Sequence, residues 1–262
     1  MPTNASGTRT ASSTKLLLAT CVAVGASLAL GSTRAGATTL FQDNFTGSST
    51  VSADGTTPTQ AKGIAPQPVK WNLVTGARTG FGAGGSIGLN GGDFGGDYLT
   101  YNFMSGFIYT LSAKLDPGPG GEEAISFGTK ATGDLPGPTM IVDYQSANTA
   151  GLQYLASGDI SSLIDTIPKS ESYGGTARID FNTISPHWSA IWYYNNIELG
   201  YHIYNTNPTG INGFSISAIS TGTSPFTGDI KSFLVTEAPE PASLGLFGAG
   251  AVGLLLSRRR NT

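Results

Sequence analysis

The chain has 262 residues, only 12% of them charged against ~25% in an average protein, and its polarity comes instead from Gly, Ser, Thr and Asn. Six of the 14 basic residues (Arg9, Lys15, Arg34, Arg258, Arg259, Arg260) lie near the ends while all 17 acids fall between Asp43 and Glu240, so residues 38–241 carry 8 basic and 17 acidic groups, a net of −9. Such a surface repels phosphate backbones and argues against nucleic acid as a partner, and the single cysteine, Cys21, rules out a disulfide framework and cysteine-built zinc or redox sites.

Met1 to Lys15 carries Arg9 and Lys15 and no acid, and Leu16 to Leu30 is an uncharged run of 15 residues. That length suits the apolar region of a signal peptide and is short for a spanning helix. Ala35-Gly36-Ala37 places small residues at both specificity positions of a signal-peptidase site, defined by Ala35 and Ala37. Residues 1–37 are expected to leave as a signal peptide, Cys21 with them. Leu18-Ala19-Thr20-Cys21 is a poor lipoprotein box, because Thr20 is unsuited to its position and little apolar sequence precedes it.

From Thr38 onward no 3.6-residue apolar period runs beyond two turns, and the best helical candidate is Ser161 to Thr166. Short β-branched and aromatic runs punctuated by Gly and Pro predict strands instead. The first half offers Thr39 to Phe45, Val69 to Val74, Gly85 to Leu89, Tyr98 to Phe103 and Phe107 to Leu115, with Asn90 to Asp97 read as a glycine-rich loop. In the last of these strands Phe107, Tyr109, Leu111, Ala113 and Leu115 alternate with a mostly polar set. The second half offers Ala124 to Thr129, Thr139 to Tyr144, Leu152 to Ala156, Thr176 to Phe181, Trp188 to Tyr194, Glu198 to Tyr204, Phe214 to Ser220 and Asp229 to Val235. Asn195-Asn196 reads as a hairpin turn tolerant of positive φ. About thirteen strands without a fixed repeat predict an all-β fold, an antiparallel two-sheet sandwich or jelly roll, as one domain over 38–237.

The chemistry within that domain is sparse. There is no Gly-x-Ser-x-Gly elbow, His-Glu-x-x-His or P-loop, and His187 and His202 lack a third clustered ligand. Glu122-Glu123 adjoins a Pro/Gly-rich loop and is read as loop solvation. Asp93 and Asp97, with carbonyls of Gly91, Gly92 and Gly95, form the best calcium candidate, although glycine-rich turns need no metal and no other cofactor is expected. Trp188, Trp192, Tyr193, Tyr194, Tyr201 and Tyr204 fall within seventeen residues. Sugar rings stack on exposed aromatic faces, so Trp188, Trp192, Tyr194, Asn195 and Asn196 are candidate glycan-binding residues, against the default that rings in a sandwich fill its core.

The C-terminal segment, residues 238–262, has three parts. Pro239-Glu240-Pro241 is a stiff stop that is not expected to continue a strand, since each proline lacks an N–H and restrains its predecessor. Ala242 to Ser257 is uncharged, and Arg258, Arg259 and Arg260 close it, the order of a membrane stop with its basic end in the cytoplasm. Sixteen residues at about 1.5 Å each give roughly 24 Å, short of the ~30 Å hydrocarbon core, a deficit that snorkelling arginines and local thinning can cover. This order resembles the PEP-CTERM protein-sorting signal of Gram-negative bacteria. The resemblance implies export, transient anchoring in the inner membrane by a single helix, and processing by an exosortase, an integral-membrane cysteine protease that cuts at or near Pro239-Glu240-Pro241. It further implies delivery to the cell surface or extracellular matrix.

The strand layout is similar to the concanavalin A-like lectin/glucanase sandwich, the laminin-G-like jelly roll. Phe41 to Phe45 stands as its opening strand, Gly106 to Ser112 as a central strand, Trp188 to Asn196 as a late hairpin, and Gly228 to Val235 as the strand closing against the first. Members that cleave β-glucans carry Glu-x-Asp-x-x-Glu on one strand, and no such triplet occurs here. The expectation is a non-catalytic exported surface or matrix protein. The alternatives are a lectin-like module for extracellular polysaccharide, and a divergent glycosidase or polysaccharide lyase.

Overall fold

The computed structural model describes residues 36–46, 53–61, 69–74, 77, 79–82, 84–129, 137–146, 149–157, 163–169, 174–220 and 226–239. Ala35 and the signal-peptide segment before it, Glu240, Pro241, the apolar run after them and Arg258 to Arg260 lie outside the described residues. Among the described residues no helix is long and apolar enough to cross a membrane. The compact unit treated below is Ala37–Pro239.

Sixteen strands are described there: β1 (Thr38–Asp43), β2 (Gln60–Ala61), β3 (Asn72–Leu73), β4 (Ser86–Leu89), β5 (Phe94–Thr100), β6 (Phe107–Leu115), β7 (Gly121–Phe127), β8 (Thr139–Ser146), β9 (Thr149–Leu155), β10 (Leu163–Lys169), β11 (Gly175–Asn182), β12 (Ser189–Tyr194), β13 (Ile197–Ile203), β14 (Gly213–Ser220), β15 (Phe226–Asp229) and β16 (Ser232–Pro239). Seven form a first sheet in the order β13-β12-β11-β6-β16-β1-β2, seven a second in the order β10-β9-β8-β7-β14-β5-β3, and β15 pairs with β4. Every pairing between named strands is antiparallel.

Alternation decides which side chains meet between the sheets. In β6 Tyr109, Leu111, Ala113 and Leu115 are buried, while Ile108, Thr110 and Ser112 are half-exposed and Lys114 is exposed. Rings carry much of the contact: Phe41 of the first sheet meets Phe214 of the second edge-on at 5.7 Å, and Phe181 lies 5.1 Å from Phe127. Tyr154 lies 5.3 Å from Trp192, whose indole N–H donates to the Thr139 carbonyl at 2.9 Å. Trp71 is pinned likewise, its indole N–H donating to Asp43 Oδ2 at 2.7 Å while the Phe45 amide donates to Oδ1. With no cysteine after Cys21, this burial, at about 25 cal/mol per Å² of apolar surface, replaces covalent cross-links as the stabilising term.

Several expectations are corrected by the pairing. From Leu163 the short helical candidate at Ser161 to Thr166 is strand β10, on the edge of the second sheet, where Pro168 is tolerated because an edge strand need not donate on both sides, while Ser161 and Ser162 lie outside the described residues. The segment Asp229 to Val235 is not one strand: Asp229 ends β15, the Ile230 amide donates to the Gly85 carbonyl, the Lys231 amide donates to Lys114, and β16 then enters the first sheet. The glycine-rich loop ends early, since β5 starts at Phe94. Pro239 does continue a strand, as the last residue of β16 opposite Phe107, a terminal position where its missing N–H costs little. The hairpin turn forms as expected, with Asn195 at φ 49° and Asn196 at φ 65°, and β16 closes against β1.

Phe214 has no exposed surface, so Phe214→Ala is expected to cost about 3–5 kcal/mol in urea unfolding. Tyr201, 67% exposed on the edge strand β13, is expected to change stability by no more than about 0.5 kcal/mol on replacement by Ala.

Candidate functional site

The outer face of the second sheet sets polar and apolar residues together in three rows running across the strands. One row crosses Asp143, Glu122, Ile219 and Phe94, all half-exposed. The next crosses Gln153, Ile141, Ala124, Ser217 and Gly96, and the third crosses Leu155, Thr139, Ser126, Ser215 and Tyr98. Small side chains dominate the middle of this face, and Ser126, Ser215 and Ser217 are buried there. Gly96 is required by close approach, because a Cβ would stand 2.7 Å from the Ile216 carbonyl oxygen. Ala124, Ile141 and Leu155 form a small buried apolar cluster there, and the polar side chains half-exposed in these rows are Glu122, Asp143, Gln153 and Tyr98.

Glu122 and Asp143 oppose each other directly across β7 and β8, a placement that sets Cβ atoms about 4.5–5.5 Å apart. Burial raises the Glu122 pKa, and the Asp143 charge raises it further. Glu123 points the other way, into the sandwich, with no exposed surface. Its Oε2 accepts the Asp116 amide at 2.9 Å. Burial pushes its carboxyl up to about 8, opposed by backbone N–H groups of Asp116 and Asp229 and aided by the charges of those two residues. Lys231 Nζ bridges the two aspartates, 2.9 Å from Asp116 Oδ2 and 3.6 Å from Asp229 Oδ2. Glu122-Glu123 is thus part of a central strand and not loop solvation. The signal that could have located it is the interleaved alternation Glu122, Ala124, Ser126 against Glu123, Ile125, Phe127.

The residues singled out as glycan ligands occupy other places. Trp192 and Tyr194 have no exposed surface, so no sugar can stack on them; period-2 alternation sent one face of β12 inward, and these rings were on it. Trp188 is half-buried, edge-on to Phe181 at 5.5 Å. Asn195 and Asn196 form the turn itself: Asn195 Oδ1 accepts the Thr176 amide at 2.9 Å and Asn196 Oδ1 accepts from Arg178 at 3.5 Å. The rings of this hairpin that face outward are Tyr193, with the Arg178 guanidinium 3.7 Å above it, and Tyr201.

Asp93 and Asp97 do not converge on a cation. Four residues of extended chain separate them by about 13 Å, and Asp97 is buried within β5, where its Oδ2 accepts the Phe81 amide at 2.7 Å. Burial raises the Asp97 pKa to about 7. Among the described residues no group of three or more His, Cys, Asp or Glu side chains could hold a metal ion.

Residues 237–260 match the family pattern described as the PEP-CTERM protein-sorting motif. The chain carries that sorting motif. It marks an exported protein and membrane-anchored sorting toward the cell surface. The body's fold is similar to that of an endo-1,3-beta-glucanase from Streptomyces sioyaensis, with a TM-score of 0.51 at 14% identity over 78% of this chain and 97% of that one. Further similar structures are a Crh5 transglycosylase (TM-score 0.49, 14% identity, 80% and 90% covered) and the Emp47p carbohydrate recognition domain (TM-score 0.45, 13% identity, 73% and 96% covered). At these identities the likeness is one of fold alone, the concanavalin A-like jelly roll of lectins and glucanases. No sequence among the curated proteins matches this one.

Glu123 and Asp97 hold protons in the folded body at pH values where the unfolded chain has lost them, so the native state binds more protons from about pH 4 up to about pH 8. Their contribution to stability is complete below pH 4 and is lost as pH rises through that window. Thermal melts of Glu123→Gln are therefore expected to match wild type most closely in acid and to gain on it steadily toward pH 8.

Proposed function

We propose that this is an exported surface or extracellular-matrix protein, sorted by an exosortase-type system, whose sandwich holds extracellular polysaccharide on the outer face of the second sheet without cleaving it. Signal peptidase would release it at Ala37 and the exosortase would process the C-terminal segment after a transient stay in the inner membrane. The domain division follows: 1–37 as signal peptide, the sandwich to 237, and 238–262 as the sorting and anchoring segment. The observation that carries the proposal is the half-exposed set of Glu122, Asp143 and Gln153 on neighbouring strands of the outer face of the second sheet, on a body that ends in a sorting motif. Carboxylate and amide groups set along a sheet can accept from and donate to sugar hydroxyls at close spacing. Non-catalytic binding is supported by the inward turn of Glu123, which leaves β7 a single carboxylate on this face.

One observation favours a second reading, hydrolysis or lyase chemistry: Glu122 and Asp143 face each other, and the Glu122 pKa is raised. A carboxyl whose proton is held more tightly by burial and a neighbouring acid is the kind of group that general-acid cleavage uses. The two readings separate in one assay, a panel of β-1,3-glucan and bacterial exopolysaccharides offered to the protein beginning at Thr38, with and without calcium. Saturable retention without release of reducing sugar is expected, weakened about tenfold by Glu122→Gln through loss of a charged hydrogen-bond acceptor. Sugar release that disappears in Glu122→Gln would assign the enzyme reading instead, and absence of retention on every glycan would remove polysaccharide from the proposal.

A further inference from the structure

The strand that leads into the sorting motif is held unequally along its last residues. Glu237 is paired on both sides, with Thr38 of β1 and with Tyr109 of β6. Its Oε2 also accepts the hydroxyl of Tyr101 at 3.0 Å. Tyr101 is itself 3% exposed and wedged edge-on against Phe103 at 5.1 Å and Tyr109 at 5.9 Å, so the donor cannot swing away without disturbing the core. Beyond Glu237 the register with β1 has ended. Ala238 and Pro239 pair only with Ile108 and Phe107 of β6, both are half-exposed, and Pro239 has no N–H to donate. Opening Ala238 and Pro239 gives up pairing on one side. Opening Glu237 gives up pairing on two sides and a charged hydrogen bond.

We infer that Glu237, clamped by Thr38, Tyr109 and Tyr101, is a latch that sets the upstream limit of the segment a processing protease can draw into its active site, so that the scissile bond lies beyond Pro239. A protease that binds its substrate as an added extended strand pairs along a free edge of it, and Glu237 has no free edge, being paired with β1 and β6. The cleavage itself breaks one peptide C–N bond. Water supplies hydroxyl to the new carboxyl terminus of the body and a proton to the amine of the departing segment. The body then keeps all of β16, and with it the strand that joins β1 to β6. A cut inside β16 would remove part of a strand interior to the sheet. The match to the sorting motif begins at this same residue, Glu237.

The inference rests on the exosortase reading for the identity of the enzyme, but the latch can be tested without it. In the purified full chain, a glutamyl endoprotease is expected to spare the Glu237–Ala238 bond, with Tyr101→Phe raising the yield of the fragment ending at Glu237 on the order of tenfold. Equal rates of cleavage at Glu237–Ala238 in wild type and in folded Tyr101→Phe would overturn the latch. In a Gram-negative host carrying an exosortase, the intact mass of the sorted protein is expected to place its C-terminus at Pro239 or later. A terminus at or before Ala238 overturns the inference and leaves the sorting reading in place. A chain retained through Thr262 overturns that reading, and the endoprotease result then decides the latch alone.

Discussion

The insertion of β16 between β1 and β6 is the constraint on which the rest of this body depends. The strand nearest the C-terminal segment occupies the inside of the first sheet, with Val235 opposite Phe41 on one side and Leu111 on the other. Until it arrives, β1 has no neighbour in the sheet except the two-residue β2. The pairing joins residues as far apart as Thr38 and Glu237, so the loop-closure entropy of nearly the whole body is set against contacts that form only when its first and last strands meet. A sorting motif fused to that strand is attached to the element that completes the fold.

Aromatic residues supply the cohesion that disulfides would provide in many exported domains. Phe41, Tyr101, Phe103, Tyr109, Phe127 and Phe214 form a continuous set of edge-on and tilted contacts between the sheets. Ring pairs of this kind add roughly 0.5–1.5 kcal/mol beyond the area they bury. Their position near β16 links core packing to the C-terminal junction through the Tyr101 hydroxyl.

Buried carboxylates mark where the sandwich makes electrostatic demands. Asp43 meets donors on both oxygens, from Phe45, Thr59 and Trp71, and so anchors a tryptophan. Asp97 and Glu123 are placed on the inner faces of β5 and β7 and hold their protons more tightly than free carboxyls do, because desolvation outweighs the backbone N–H groups available to them. Glu122, one residue away from Glu123, stays half-exposed and faces a second acid. A single step along a strand separates a structural proton from a candidate ligand-binding group.

What the sequence determined by itself is the part that local chemistry controls. The period-2 alternation of Phe107 to Leu115, the Asn195-Asn196 turn, the lack of cysteine after Cys21 and the sorting pattern after Glu237 each depend on neighbouring residues only. Alternation names two faces of a strand without saying which is inside, so the rings of Trp192 and Tyr194 could be assigned to solvent as readily as to the core. Only the tertiary structure decided that, and only it opposed Glu122 to Asp143, drew Asp97 into β5 while leaving Asp93 just before it, and brought Thr38 beside Glu237. Strand partnership is a long-range choice made by the burial and hydrogen bonding of the whole sheet, and no short window of residues contains it.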